Sequence, residues 1–139
     1  MAHFARVNSD NQVIYITPVN NANLLNENAE EIESLGIDYL LKTLPSDTIE
    51  TWQETDTWVK TSYNGSFRGK YAALGDTWRE DLDAFIGQKP YPSWILNTKS
   101  GKWQSPIKNA FKESDSELYY WDEDAYQADN TMGWVLIDS

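Results

Sequence analysis

The stretch His3-Phe4-Ala5-Arg6-Val7-Asn8-Ser9-Asp10-Asn11-Gln12-Val13-Ile14-Tyr15-Ile16-Thr17-Pro18-Val19 decides the fold class. Two short runs rich in Val, Ile, Phe and Tyr, residues 3–7 and 13–19, flank the cluster Asn8-Ser9-Asp10-Asn11. Asn, Ser and Asp side chains bond back to neighbouring backbone and favour turns, so the stretch reads as an antiparallel hairpin. After Asn20-Asn21 the pattern changes. Asn28 followed three residues later by Glu31 reads as a capping box, and Ile32, Leu35, Tyr39 and Leu40 recur at helical spacing up to Pro45. The spacing predicts a helix over 29–43. Its acidic start, Glu30, Glu31 and Glu33, suits the positive end of a helix dipole, which gives those charges a structural reason.

Beyond Ser46 the helical period does not return strongly. Trp58-Val59-Lys60-Thr61-Ser62-Tyr63 alternates and stops at Asn64-Gly65, a short-hairpin signal that predicts a returning strand over residues 67–74. Three similar units follow: Trp78 to Phe85, Trp94 to Trp103, and Trp121 to Trp134. Each opens on an aromatic residue, crosses a polar loop and closes on another aromatic, so each is expected to set two aromatics across from one another. The third loop is long and acidic. Pro90-Tyr91-Pro92 and Ser105-Pro106 break strands and form the joints. The expected fold is α+β: mostly antiparallel β hairpins in a meander with one helix at about 29–43. A chain of 139 residues is expected to form a single domain over 1–139, with an N-terminal hairpin, helix and strand in 1–63 and Trp-rich hairpins in 64–139.

Composition narrows the chemistry. Cysteine is absent, which removes disulfides, thiolate nucleophiles, zinc fingers and iron–sulfur clusters, and the one histidine is His3. A Ser-His-Asp triad would have to use that residue. Eleven basic against 22 acidic residues give a net charge of −11, which opposes a nucleic-acid groove, and no apolar run reaches membrane-spanning length. The opening residues lack the pattern of a secretory signal. Against this stand seven Trp, eight Tyr and four Phe, an aromatic load typical of strand cores and contact surfaces. Residues 1–59 carry two basic and ten acidic groups, 60–112 nine and four, and 113–139 none and eight. A basic middle between acidic ends fits compensation within one fold or head-to-tail pairing of copies.

Candidate sites are few. Asp122, Glu123 and Asp124 beside Trp121, and Glu80, Asp81 and Asp83 beside Trp78, are carboxylate groups of the type glycoside hydrolysis uses, although acids in hairpin loops are ordinarily solvated. The run 122–124 with Asp129 and Asn130 offers oxygen ligands for calcium but lacks the glycine and terminal glutamate of an EF-hand loop. Asn64-Gly65-Ser66 and Asn97-Thr98-Lys99-Ser100-Gly101 lack the spacing of a phosphate-binding loop. Trp94, Trp103, Asn97 and Gln104 are of the kind that stack on a sugar ring and bond its hydroxyls. Phe67-Arg68-Gly69-Lys70-Tyr71 interleaves aromatics with basic residues, as single-stranded nucleic-acid sites do.

The opening Met1-Ala2-His3-Phe4-Ala5-Arg6-Val7-Asn8-Ser9-Asp10-Asn11, the segment Trp58-Val59-Lys60-Thr61-Ser62-Tyr63-Asn64-Gly65-Ser66-Phe67-Arg68 with Lys70-Tyr71-Ala72, then Asp83-Ala84-Phe85-Ile86 and Lys89-Pro90-Tyr91-Pro92-Ser93-Trp94, together resemble small virion-associated proteins of marine tailed bacteriophages, those of cyanobacteria included. The closing Tyr120-Trp121-Asp122-Glu123 is similar too. Gly75-Asp76-Thr77-Trp78 and residues 127–132 depart from the family pattern. The resemblance implies a phage structural or accessory protein, a capsid decoration, neck or tail-associated subunit made in the host cytoplasm and present in many copies on the virion. Its partners would be other phage structural proteins, with no nucleic acid, membrane, cofactor, metal or catalytic residue. The expected contact residues are Trp78, Trp94, Trp103, Trp121 and Trp134, with Lys99 and Lys102. Two other expectations stand beside this one. An early protein would occupy a host factor through an acidic surface imitating nucleic acid, and a tail-fibre-like module would bind glycans.

Overall fold

Antiparallel hairpins carry most of the regular backbone, and one strand organises the largest sheet. The computed structural model describes residues 1–108 and 118–137. They group into an N-terminal unit, residues 1–88 with 99–101, and a C-terminal unit, residues 89–98 with the described part of 102–139.

In the N-terminal unit, β1 (Ala2–Val7) lies between β2 (Val13–Val19) and β3 (Thr57–Thr61), both antiparallel to it. The expected first hairpin forms. The Asn8 side chain accepts the N–H groups of Asp10 and Gln12 at 3.0 Å, and Asn11 takes the left-handed conformation that closes the loop. Being central, β1 is covered on both faces. Ala2 and Phe4 pack with Val19, Leu24, Leu40, Trp52 and Trp58, while Ala5 and Val7 pack with Val13, Val59, Ala72 and Phe85. Arg6 shares the Phe4 side by alternation and is also buried. Its guanidinium sits 4.0 Å from the ring centre of Trp52, and its Nε donates to Asp56 at 3.0 Å.

Helix α1 (Glu33–Thr43) covers the Phe4 face and is shorter than the expected 29–43. The capping box does not form: Ile32 is the N-cap and gives no side-chain bond. The Asn26 side chain accepts from the Asn28 and Glu30 amides, and Ala29 turns left-handed, so 26–32 is a loop. Gly36 touches Phe4 so closely that a Cβ would lie 2.5 Å from the ring. Tyr39, expected on the apolar face, is exposed, while Ile37 and Leu44 pack inward.

The expected return of residues 67–74 against 58–63 is also absent, because β3 pairs with β1 instead. Ser62, Asn64 and Ser66 bond one another in the turn, and Arg68 and Gly69 both take positive φ, which deflects the chain from pairing. Arg68 instead donates to the Lys60 carbonyl at 2.8 Å, and Glu33 accepts the Lys60 N–H at 3.1 Å. Arg68 and Glu33 pair at 2.9 Å, so the two side chains occupy the outer edge of β3 where a further strand would bond. The short hairpin β4 (Thr77–Arg79) and β5 (Ala84–Ile86) completes the unit, with Trp78 opposite Phe85 as expected.

The C-terminal unit holds two hairpins, β6 (Ile95–Asn97) with β7 (Lys102–Gln104), and β8 (Tyr119–Trp121) with β9 (Trp134–Leu136). Trp121 and Trp134 are direct cross-strand partners. Trp103 is not opposite Trp94: its partner is Leu96. Where a long acidic loop is expected, residues 123–128 form helix α2 (Glu123–Ala128), whose N-cap Asp122 accepts the Ala125 N–H at 3.0 Å. Among the described residues no helix is long and apolar enough to cross a membrane.

Candidate functional site

The C-terminal unit is built around indole rings. Trp121 and Trp134 lie 5.4 Å apart between ring centres, and Trp94 meets them at 6.0 and 6.2 Å. Tyr91 closes on Trp94 and Tyr126 on Trp121, so α2 and the Pro90-Tyr91-Pro92 joint both anchor in the cluster. The Trp121 N–H donates to Glu123 at 2.9 Å, Ser93 donates to the same oxygen at 2.6 Å, and Gln127 donates to the other oxygen at 2.7 Å. Partial burial pushes the Glu123 carboxyl upward, but these three hydrogen bonds outweigh it and hold the group below its ordinary value. Gly133 allows the closeness: a Cβ there would run into the Trp121 ring.

The two sides of the β8–β9 hairpin are unlike. Alternation puts Trp121 and Trp134 on one side and Tyr120 and Val135 on the other. The Ile137 N–H donates to the Leu118 carbonyl at 2.7 Å, extending the ladder by one pair on the Tyr120 side. Leu118, Tyr120 and Ile137 are 59, 46 and 45% exposed. Three exposed apolar residues thus share one side with Val135, which is half-buried. Residues 118–137 also carry Asp122, Glu123, Asp124 and Asp129 and no Lys or Arg.

A cavity of about 520 Å³ opens elsewhere in the unit, lined by Trp94, Trp103, Gln104, Ser105, Pro106 and Lys108. Lys89 reaches over the Trp103 ring, its ammonium 5.8 Å from the centre.

The residues expected as contacts are distributed as follows. Trp94, Trp121 and Trp134 meet in the aromatic cluster, and Trp94 also shares the cavity with Trp103. Trp78 belongs to the N-terminal unit, tilted on Phe85 at 4.7 Å with the Arg68 guanidinium 5.2 Å from its ring. Lys99 and Lys102 are exposed. Sequence pattern does not single out Leu118, Tyr120, Val135 and Ile137, because alternation identifies a strand without saying which side is covered. Most of the candidate carboxylates have structural partners, while Glu80 and Asp124 are exposed. Asp83 bonds Arg68, Asp81 bonds Arg79, Asp122 caps α2, and Asp129 takes the amide and hydroxyl of Thr131. Among the described residues no three His, Cys, Asp or Glu side chains converge as metal ligands. Of the residues considered for sugar stacking, Trp94, Trp103 and Gln104 line one cavity. Comparison with known proteins gives no matching family model, no matching curated protein and no matching solved structure.

Proposed function

We propose that this chain is an accessory component of a tailed-bacteriophage particle that works by docking on a larger protein surface in many copies, without turnover. One observation carries the reading: the outward side of β8–β9 presents Leu118, Tyr120, Val135 and Ile137 together on a two-stranded sheet. Water-facing apolar residues grouped in this way mark a contact surface rather than scattered exposure. Residues 118–137 hold four acids and no Lys or Arg, and this net acidity favours a basic partner. That partner should offer an apolar patch rimmed by Lys or Arg. The likeness of residues 1–11, 58–72 and 83–94 to virion-associated proteins of marine tailed phages supports a particle as the place of docking.

Quantitative mass spectrometry of purified virions, scaled to the major capsid protein, tests the reading. The protein is expected in the particle: hundreds of copies would make it a head decoration, and about 6 or 12 a neck or tail element, following ring symmetry. Absence from particles overturns it and moves the work into the infected cell, where an acidic binder of a host factor takes its place.

A further inference from the structure

The cavity shared by Trp94 and Trp103 uses none of the docking residues and has a chemistry of its own. We propose that it is a saccharide-binding site, and that the sugar it takes carries a negative charge. At about 520 Å³ it falls in the size range of small-molecule sites. Two indoles supply flat apolar faces suited to the C–H face of a pyranose ring. The Trp94 ring is fixed before any ligand arrives, because Tyr91, Trp121 and Trp134 all pack on it, so little ordering is required on binding. The Gln104 amide both donates and accepts, as a sugar hydroxyl does.

Charge selects among sugars. In a chain of net charge −11 the lining contains Lys108 and, among the described residues, no carboxylate, and Lys89 sits over the Trp103 ring. Cations gathered at aromatic walls favour a uronate or sulfated ring over a neutral one. A proline-rich peptide would also stack on paired indoles, but it would draw nothing from Lys108.

The test titrates the full chain with trigalacturonate, with its methyl ester, which has the same rings without the charge, and with a sulfated trisaccharide, following indole N–H signals by NMR. An anionic trisaccharide is expected to shift the Trp94 and Trp103 signals saturably, to bind more tightly than the neutral ester, and to weaken as salt rises to about 0.5 M. Lys108→Gln, at an exposed position, should weaken binding about threefold or more while leaving the remaining spectrum unchanged. Trp103→Ala should abolish it. The carboxylated or sulfated probe, whichever binds better, identifies the anion. The proposal is overturned if neither anionic probe moves these two signals, if ester and acid bind alike, or if Lys108→Gln has no effect. It is also overturned if a proline-rich decapeptide shifts the signals and the saccharides do not.

Discussion

The N-terminal unit leaves its main strand no free side, whereas the C-terminal unit covers its longest hairpin on one side only. In the first, β1 is buried on both faces, and Arg68 with Glu33 occupies the outer edge of β3. In the second, indoles pack together on one side of β8–β9, where Leu136 at the strand end stays exposed, and the other side carries Leu118, Tyr120 and Ile137 toward water with Val135 half-buried between them. A sheet of two short strands cannot close a core by itself, so it relies on large side chains that meet at few points. The same economy leaves apolar surface over. The difference shows which unit has apolar surface to spare for the docking proposed above: the one whose hairpin packs its indoles on a single face.

The largest expected effect falls in the N-terminal unit. Arg6 and Asp56 have side chains 1% exposed, and Arg6 also donates to Ser46 at 3.2 Å and to the Gln53 carbonyl at 3.1 Å. Arg6→Ala leaves a buried carboxylate without its cation and should cost about 3–5 kcal/mol in urea unfolding. Replacing both partners, as Arg6→Met with Asp56→Leu, should recover much of that loss, because the double change removes the unpaired charge. A loss from Arg6→Ala below about 1 kcal/mol would mean that apolar packing, and neither the ion pair nor the cation–π contact, holds this face.

A smaller loss is expected where the C-terminal unit is tightest. Gly133→Ala drives a methyl group into Trp121 and should cost about 1–3 kcal/mol, read by thermal unfolding together with near-ultraviolet tryptophan dichroism. If the dichroism is unchanged, the ring has room to retreat and the cluster is looser than the distances between its rings imply.

These two positions also show what the sequence makes legible. The alternation of residues 3–7 and 13–19 and the Asn-rich turn between them point to the first hairpin, and Trp78 opposite Phe85 and Trp121 opposite Trp134 follow from aromatic spacing. The partner of β3 does not, because Trp58 pairs with Arg6 across more than 50 residues while Asn64-Gly65 gives a strong local signal for a different pairing. A local turn signal says that the chain bends, not where it goes next; positive φ at Arg68 and Gly69 redirects it. Helix α2 stands where the sequence reads as a long acidic loop, because acids between aromatics are the pattern of a solvated turn as much as of a helix start. Of the site, Trp94, Trp103, Asn97 and Gln104 are legible as a residue combination, and all but Asn97 line the cavity. The exposed side of β8–β9 is not legible, since burial depends on which face the rest of the unit covers.

Acid should separate the two halves of the comparison more gently. The Glu123 carboxyl is held below its ordinary value by Ser93, Trp121 and Gln127, so it favours the folded form when ionised. That contribution is complete above the unfolded value near 4.5 and is lost as pH falls below it through the lower folded value. An NMR titration should place the Glu123 midpoint below 4.5, and the Trp121 indole N–H signal should move with it. Glu123→Gln should remove this component of the acid sensitivity. A midpoint at or above 4.5 would mean that the three donors do not act together on the ionised group.

The smallest effect is the one that distinguishes a contact surface from part of the core. Tyr120→Ser removes an aromatic ring from a position 46% exposed and opposite Val135, on the side away from the indole cluster. If that side faces water in the free protein, the change should alter stability by no more than about 0.5 kcal/mol. Adding Ile137→Ser, 45% exposed on the same side, should keep the loss small, while incorporation into particles falls because the docking face has lost its apolar character. A double variant that unfolds like a core truncation would show that the protein itself covers this side, and the contrast between a closed N-terminal sheet and a half-open C-terminal hairpin would fail. Retained stability with normal incorporation would preserve the contrast and move docking off β8–β9. Only stability retained with incorporation lost ties the open face to the partner, because the substitutions then remove nothing that folding uses.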